Sequence, residues 1–211
     1  MRKGYSTVKK IVCIGDSLTE GDYGVKGKSC IANVKPENYP YFLAKELGCE
    51  TVNYGKCGYN AQTYLDFYDS GEVNVTDADV IIVMLGTNLG LGEDKYRNAY
   101  SALTEKILKD KSDRAVLVLV TPISATTNPS MSNYHNGKFA AWVVNANEYI
   151  LGDIANRYKD RDDVAIIDAY RNSPIQPDME YEYQNADGLH LTESGYAAFA
   201  KYIAEEIKEL L

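Results

Sequence analysis

Five short runs rich in Val and Ile recur along the chain, at Ile11–Ile14, Thr51–Tyr54, Val80–Leu85, Ala115–Val120 and Val164–Ile167. Each is apolar almost throughout rather than alternating, which is the pattern of strands covered on both faces. Helical patterns fill the gaps. Asn38–Leu47 has a proline near its start, where a helix tolerates one. Ala61–Tyr68 is shorter, and Asp94–Lys109 lines up Tyr96, Ala99, Tyr100, Leu103 and Ile107 on one face. Phe139–Tyr158 does the same with Val143, Ala146, Ile150 and Ile154, and a last helix runs from Thr192 as N-cap through Tyr196, Phe199, Ile203 and Ile207. Strand–helix alternation requires right-handed crossovers, so the expected class is α/β. The expected architecture is a three-layer αβα sandwich around a five-stranded parallel sheet of order 2-1-3-4-5, with the first strand central beside the switch point. No repeat or Pro/Gly/Ser-rich linker divides residues 1–211, so they are expected to form a single domain.

The first run leads into Gly15-Asp16-Ser17-Leu18-Thr19-Glu20-Gly21. A serine at the carboxyl end of a central parallel strand lies where open α/β sheets place ligands, near helix N–H groups that favour developing negative charge. Asp16 and Ser17 also suit a plain helix cap. A serine hydroxyl needs a base, an orienter for that base and donors for an oxyanion before it is a useful nucleophile. His190 in Asp187-Gly188-Leu189-His190 is the candidate base, because Asp-x-x-His lets Asp187 meet one ring nitrogen across a local turn. His135 stands in a polar loop, Asn133–Gly137, with no acid near it, and reads as a solvated surface residue. Asn53-Tyr54-Gly55-Lys56-Cys57-Gly58 after the second run and Gly86-Thr87-Asn88 after the third could supply oxyanion donors, although Gly and Asn are also ordinary turn residues.

Taken in order, Gly-Asp-Ser, Asn-x-Gly-x-x-Gly, Gly-x-Asn and Asp-x-x-His resemble the SGNH, or GDSL, hydrolase family, over nearly the whole length from Gly15 to His190. The resemblance implies a flavodoxin-like fold and ester hydrolysis through an acyl-enzyme. By motif position, Ser17 would be the nucleophile, His190 the base and Asp187 its orienter. The N–H groups of Ser17 and Gly58 and the side chain of Asn88 would form the oxyanion hole. Members of the family often have Asp after the Asn of the third block, and here Leu89 stands instead. Asp16 is expected to tie down the nucleophile turn.

Net charge is −8, which argues against nucleic-acid or anionic-membrane partners. No stretch approaches the ~20 apolar residues of a membrane span, and the basic N-terminus lacks the apolar segment of a signal peptide. A cytoplasmic location is therefore expected, with Cys13, Cys30, Cys49 and Cys57 as reduced thiols; a Cys49–Cys57 bridge is the alternative. No Cys-x-x-Cys pair is present and there are 2 histidines, so neither a metal nor another cofactor is expected.

The expected substrate is a small-molecule ester. The segments Asp22–Glu37, Ile123–Lys138 and Tyr170–Asn185 hold Tyr23, Tyr134, Tyr170, Tyr181 and Tyr183 and contain no long apolar run. That suits a short acyl group, such as acetyl, carried on a sugar. The alternatives are a lysophospholipase or thioesterase acting on longer chains, an acyltransferase, and a non-hydrolytic carbohydrate-binding module. The 18 tyrosines fit either half-buried core positions or a sugar-stacking cleft. Nothing in the sequence specifies an oligomeric state.

Overall fold

A computed structural model of the chain describes residues 9–24, 30–88, 92–125, 138–176, 180–185 and 187–210. The strands are β1 (Lys10–Gly15), β2 (Glu50–Gly55), β3 (Val80–Met84), β4 (Val116–Val120) and β5 (Val164–Ile167). They form a parallel sheet in the order β2-β1-β3-β4-β5, the order expected of a doubly wound flavodoxin-like α/β fold. The helices between β1 and β2 are α1 (Ser17–Glu20), α2 (Cys30–Asn33) and α3 (Tyr39–Leu47). Then come α4 (Ala61–Asp69), α5 (Glu93–Asp110), α6 (Lys138–Tyr149), α7 (Ala155–Tyr158), α8 (Ala169–Asn172), α9 (Glu180–Tyr183) and α10 (Glu193–Leu210).

Side chains alternate across the sheet and build two cores. Val12, Ile14, Ile81, Val83, Leu117 and Leu119 pack against Tyr64 of α4, Tyr100 and Leu103 of α5 and Ala146 of α6. Ile11, Cys13, Ile82, Met84, Val118 and Val120 pack against Leu43 of α3 and Tyr196, Phe199 and Ile203 of α10. The runs are thus covered on both faces at the centre of the sheet. The edge strands β2 and β5 keep several positions only partly buried.

Local sequence explains the helix starts. Asn38 caps α3 by accepting from Tyr41 N, and Asn60 closes a reciprocal capping box with Thr63 at the start of α4. Thr192 accepts from Gly195 N at 3.1 Å at the head of α10. The helix expected over Phe139–Tyr158 is interrupted by a π-helical segment, Ile150–Ile154, between α6 and α7. Among the described residues no helix is long and apolar enough to cross a membrane.

Two expectations change. Cys57 is disulfide-bonded while Cys13 and Cys49 are free, so neither four reduced thiols nor a Cys49–Cys57 bridge describes the chain. A count of four cysteines does not fix their pairing. The second change concerns the tyrosines. Tyr39, Tyr64, Tyr100 and Tyr196 are fully buried core residues. Tyr23, expected near substrate, is buried with its ring 5.4 Å from that of Tyr196 and its hydroxyl donating to Glu37 O at 2.6 Å.

Candidate active site

β1 ends at Gly15, and the chain turns at once into α1. Asp16 caps that helix: its Oδ1 accepts from Leu18 N at 3.0 Å and its carbonyl from Glu20 N at 2.9 Å. Ser17 is therefore the first residue of a helix at the carboxyl end of a central strand, and it is buried. The turn is possible only because the backbones approach closely. A Cβ on Gly15 would lie 2.7 Å from Met84 O, and one on Gly55 would lie 2.1 Å from Glu20 N. Asn53 reinforces the contact by donating to Thr19 O at 2.7 Å, and Glu20 accepts from Cys57 N.

The segment before α10 reaches the same point from the other end of the chain. Gly188, at φ +71, turns between Asp187 and Leu189. Asp187 Oδ1 accepts from Leu189 N at 2.9 Å and from His190 N at 3.0 Å, which leaves Oδ2 to meet His190 Nδ1 at 2.6 Å. His190 Nε2 then lies 2.9 Å from Ser17 Oγ. All three side chains are buried. This Ser–His–Asp chain spans 173 positions of sequence between Ser17 and His190. With the nitrogen facing Asp187 protonated, the other accepts from the serine hydroxyl.

Gly58 and Asn88 lie in the loops that follow β2 and β3, the two neighbours of β1 in the sheet. Gly58, at φ +75, lies in the loop after β2, and a Cβ there would meet nothing within 4 Å. Asn88 lies in the loop after β3 and donates from Nδ2 to Tyr59 O at 3.3 Å, linking the two loops. Leu89 and His135, together with Tyr134, lie outside the described residues.

The pocket around the imidazole is acidic. Burial pulls the His190 pKa down, but the hydrogen bond and charge of Asp187, with the charges of Asp22 and Asp16, outweigh it and hold the group above its ordinary 6.5. Activity dependent on this base is thus expected to switch on above the range of an unperturbed histidine. Burial pushes the Asp16 carboxyl up to about 6 against the opposing pull of Leu18 N–H. Asp22 is the residue that sequence reasoning did not single out. Its Oδ2 lies 3.4 Å from His190 Nε2, on the side of the ring that faces Ser17. Only its place five positions after the serine hinted at it. Among the described residues, no group of three or more His, Cys, Asp or Glu side chains could hold a metal ion.

Comparison with known proteins gives a family and a fold. The model of the GDSL-like lipase/acylhydrolase family matches residues 13–198. No curated protein matches in sequence. Among solved structures, an aryl esterase of M. smegmatis superposes with a TM-score of 0.71 at 20% identity, covering 96% of this chain and 100% of that one. A lipase/acylhydrolase from Enterococcus faecalis gives 0.70 at 21% identity, covering 95% and 96%. A carbohydrate acetylesterase from Sinorhizobium meliloti gives 0.67 at 19% identity, covering 96% and 100%.

Proposed function

Since the chain belongs to the GDSL-like lipase/acylhydrolase family, we propose that it is a serine esterase that hydrolyses small acyl esters, acetyl esters of carbohydrates first among them, through an acyl-enzyme on Ser17. The observation that carries the reading is the continuous contact from Ser17 Oγ to His190 Nε2 at 2.9 Å and from His190 Nδ1 to Asp187 at 2.6 Å. In this mechanism Ser17 Oγ attacks the ester carbonyl carbon as His190 Nε2 takes the hydroxyl proton. Asp187 keeps Nδ1 protonated and balances the imidazolium. The tetrahedral oxyanion receives hydrogen bonds from Ser17 N–H, Gly58 N–H and Asn88 Nδ2. His190 returns its proton to the leaving alkoxide, the C–O bond breaks, and the acyl group stays on Ser17. Water then enters and attacks the acyl carbon as it gives a proton to His190, which passes that proton to Ser17 Oγ as the Oγ–acyl bond breaks and the acid leaves.

The small-acyl preference rests on the sequence of the specificity segments, which have no apolar stretch fit for a long chain. Two structures sharing the fold are named as an aryl esterase and a carbohydrate acetylesterase, so aryl and sugar acetates are the first substrates to try. Hydrolysis of p-nitrophenyl acetate, p-nitrophenyl octanoate and an acetylated xylose by wild type and Ser17→Ala tests the reading. Turnover of the acetates by wild type and a loss of about 10⁴–10⁶ in kcat for Ser17→Ala are expected. Preference for octanoate overturns the acyl-size assignment, and equal rates for the two proteins overturn the nucleophile.

A further inference from the structure

Asp22 uses its two carboxylate oxygens for different tasks. Oδ1 accepts from Gly24 N at 2.7 Å and closes a tight turn. Oδ2 is turned the other way and lies 3.4 Å from His190 Nε2. The turn itself is clamped onto the site. Tyr196 of α10 donates its hydroxyl to Asp22 O at 2.7 Å, and Gly24, at φ +61, presses so closely on Asp187 that a Cβ there would lie 1.9 Å from Oδ2. One imidazole thus has a carboxylate on each ring nitrogen: Asp187 at Nδ1 and Asp22 at Nε2.

That arrangement acts unequally on the two protonation states. Neutral His190 turns the Nε2 lone pair toward both Ser17 Oγ and the Asp22 carboxylate, and the second of these contacts is repulsive. Once Nε2 carries a proton, the same carboxylate attracts it, and at 1% exposure of Asp22 little water screens the attraction. We propose that Asp22 is a second positioning residue of the reaction, which holds the charge formed on His190 when Nε2 takes the Ser17 proton and so sets the pH at which the base is free to act. The proposal rests on the reading of His190 as general base. The Ser17 O–H bond breaks as the Nε2–H bond forms, and Asp22 neither gives nor takes a proton.

Among the described residues, the other ionisable groups facing this pair are Asp16 from the β1–α1 turn, Asp187 from the segment before α10, and the phenol of Tyr196, beside which Tyr23 packs. The phenols are held above their ordinary range by burial and do not titrate near neutrality. Asp187 and Asp16 act on the same imidazole but are unchanged by substitution at Asp22, so a variant there isolates one carboxylate.

Asp22→Asn keeps an oxygen for Gly24 N and removes the charge; Asp22→Ser keeps a turn-forming acceptor with less bulk. Two readouts are compared with wild type. One is the pH profile of kcat/KM on p-nitrophenyl acetate. The other is the ring-proton NMR titration of His190 in a His135→Gln background, which removes the second of the 2 histidines. Removing an opposite charge this close should move both midpoints down by about one unit. Relative activity on the acid limb then rises about tenfold. Profiles and NMR midpoints that superimpose on wild type in both variants overturn the proposal. A wild type inactive on every ester overturns the esterase reading instead, and the NMR titration still decides whether Asp22 acts on His190.

Discussion

Gly55→Ala is the substitution that most sharply tests how the sheet holds the serine. Gly55 ends β2 and pairs with Gly15 at the end of β1. Its backbone φ is not in the left-handed region, so strain there would be purely steric. An added Cβ would lie 2.1 Å from Glu20 N, 2.6 Å from Glu20 Cα and 2.6 Å from Thr19 C. These are main-chain atoms of α1, with no flexible side chain to swing aside. Restoring ordinary contact requires α1 to retreat by about an ångström, two or three residues after Ser17. Overpacking of this kind costs about 1–3 kcal/mol. For a chain of this length that is roughly 2–12 °C in Tm. An ångström of misplacement at the reacting atom costs about 10²-fold in rate. Gly48→Ala is the control. Gly48 caps α3 at φ +63 with nothing within 4 Å, so only the left-handed penalty of about 1–2 kcal/mol applies and kcat should stay at the wild-type value. Thermal unfolding by circular dichroism and p-nitrophenyl acetate turnover measure both effects. A Gly55→Ala protein that keeps wild-type kcat, like the control, refutes the idea that this contact sets the position of Ser17.

Four further outcomes follow from the site. His190 must be neutral to act and its carboxylate neighbours raise its pKa, so the acid limb of kcat/KM should have its midpoint above 6.5; a midpoint at or below that value contradicts the electrostatic account. Asp16 is raised from 3.8 to about 6, so the folded state favours its protonated form and stability is lost as pH rises through that window, by about 3 kcal/mol at ~1.36 kcal/mol per unit. Denaturant melts at pH 4 and pH 7 should accordingly show a smaller drop for Asp16→Asn than for wild type, and an equal drop would count against a charged, buried Asp16. Gly24→Ala should lower kcat more than it lowers Tm, because its Cβ would collide with the Asp187 carboxylate; unchanged steady-state kinetics would argue against that contact. Asn88→Ala should lower kcat by about 10²–10³ with little change in KM, and a pure KM effect would move Asn88 out of the oxyanion hole.

The sheet was legible because the β-branched runs are short, nearly unbroken and separated by helical spacing. All five strands fall within two residues of those runs, and β1, β3 and β4 stand out most because strands covered on both faces leave little room for polar residues. The π-helical break at Ile150–Ile154 was not legible: its apolar spacing suits a continuous helix equally well. Ser17, Asp187 and His190 could be named because each occupies a short local pattern. Asp22 could not, because its meeting with His190 depends on α10 and the Asp22–Gly24 turn being pinned together by Tyr196, a contact between residues 174 positions apart. Tyr23 shows the same limit. Its composition suited a cleft wall, and only tertiary packing decides that its ring belongs to the core.

The central claim is that the Ser17 hydroxyl, activated by His190, is the reacting group. Peptide mapping by mass spectrometry after exposure to a fluorophosphonate ester tests it most directly, with Ser17→Ala and His190→Ala treated in parallel. The account predicts one adduct per chain, on Ser17, absent from Ser17→Ala and formed far more slowly in His190→Ala. An adduct on another residue, or labelling of Ser17 at the same rate without His190, would contradict it.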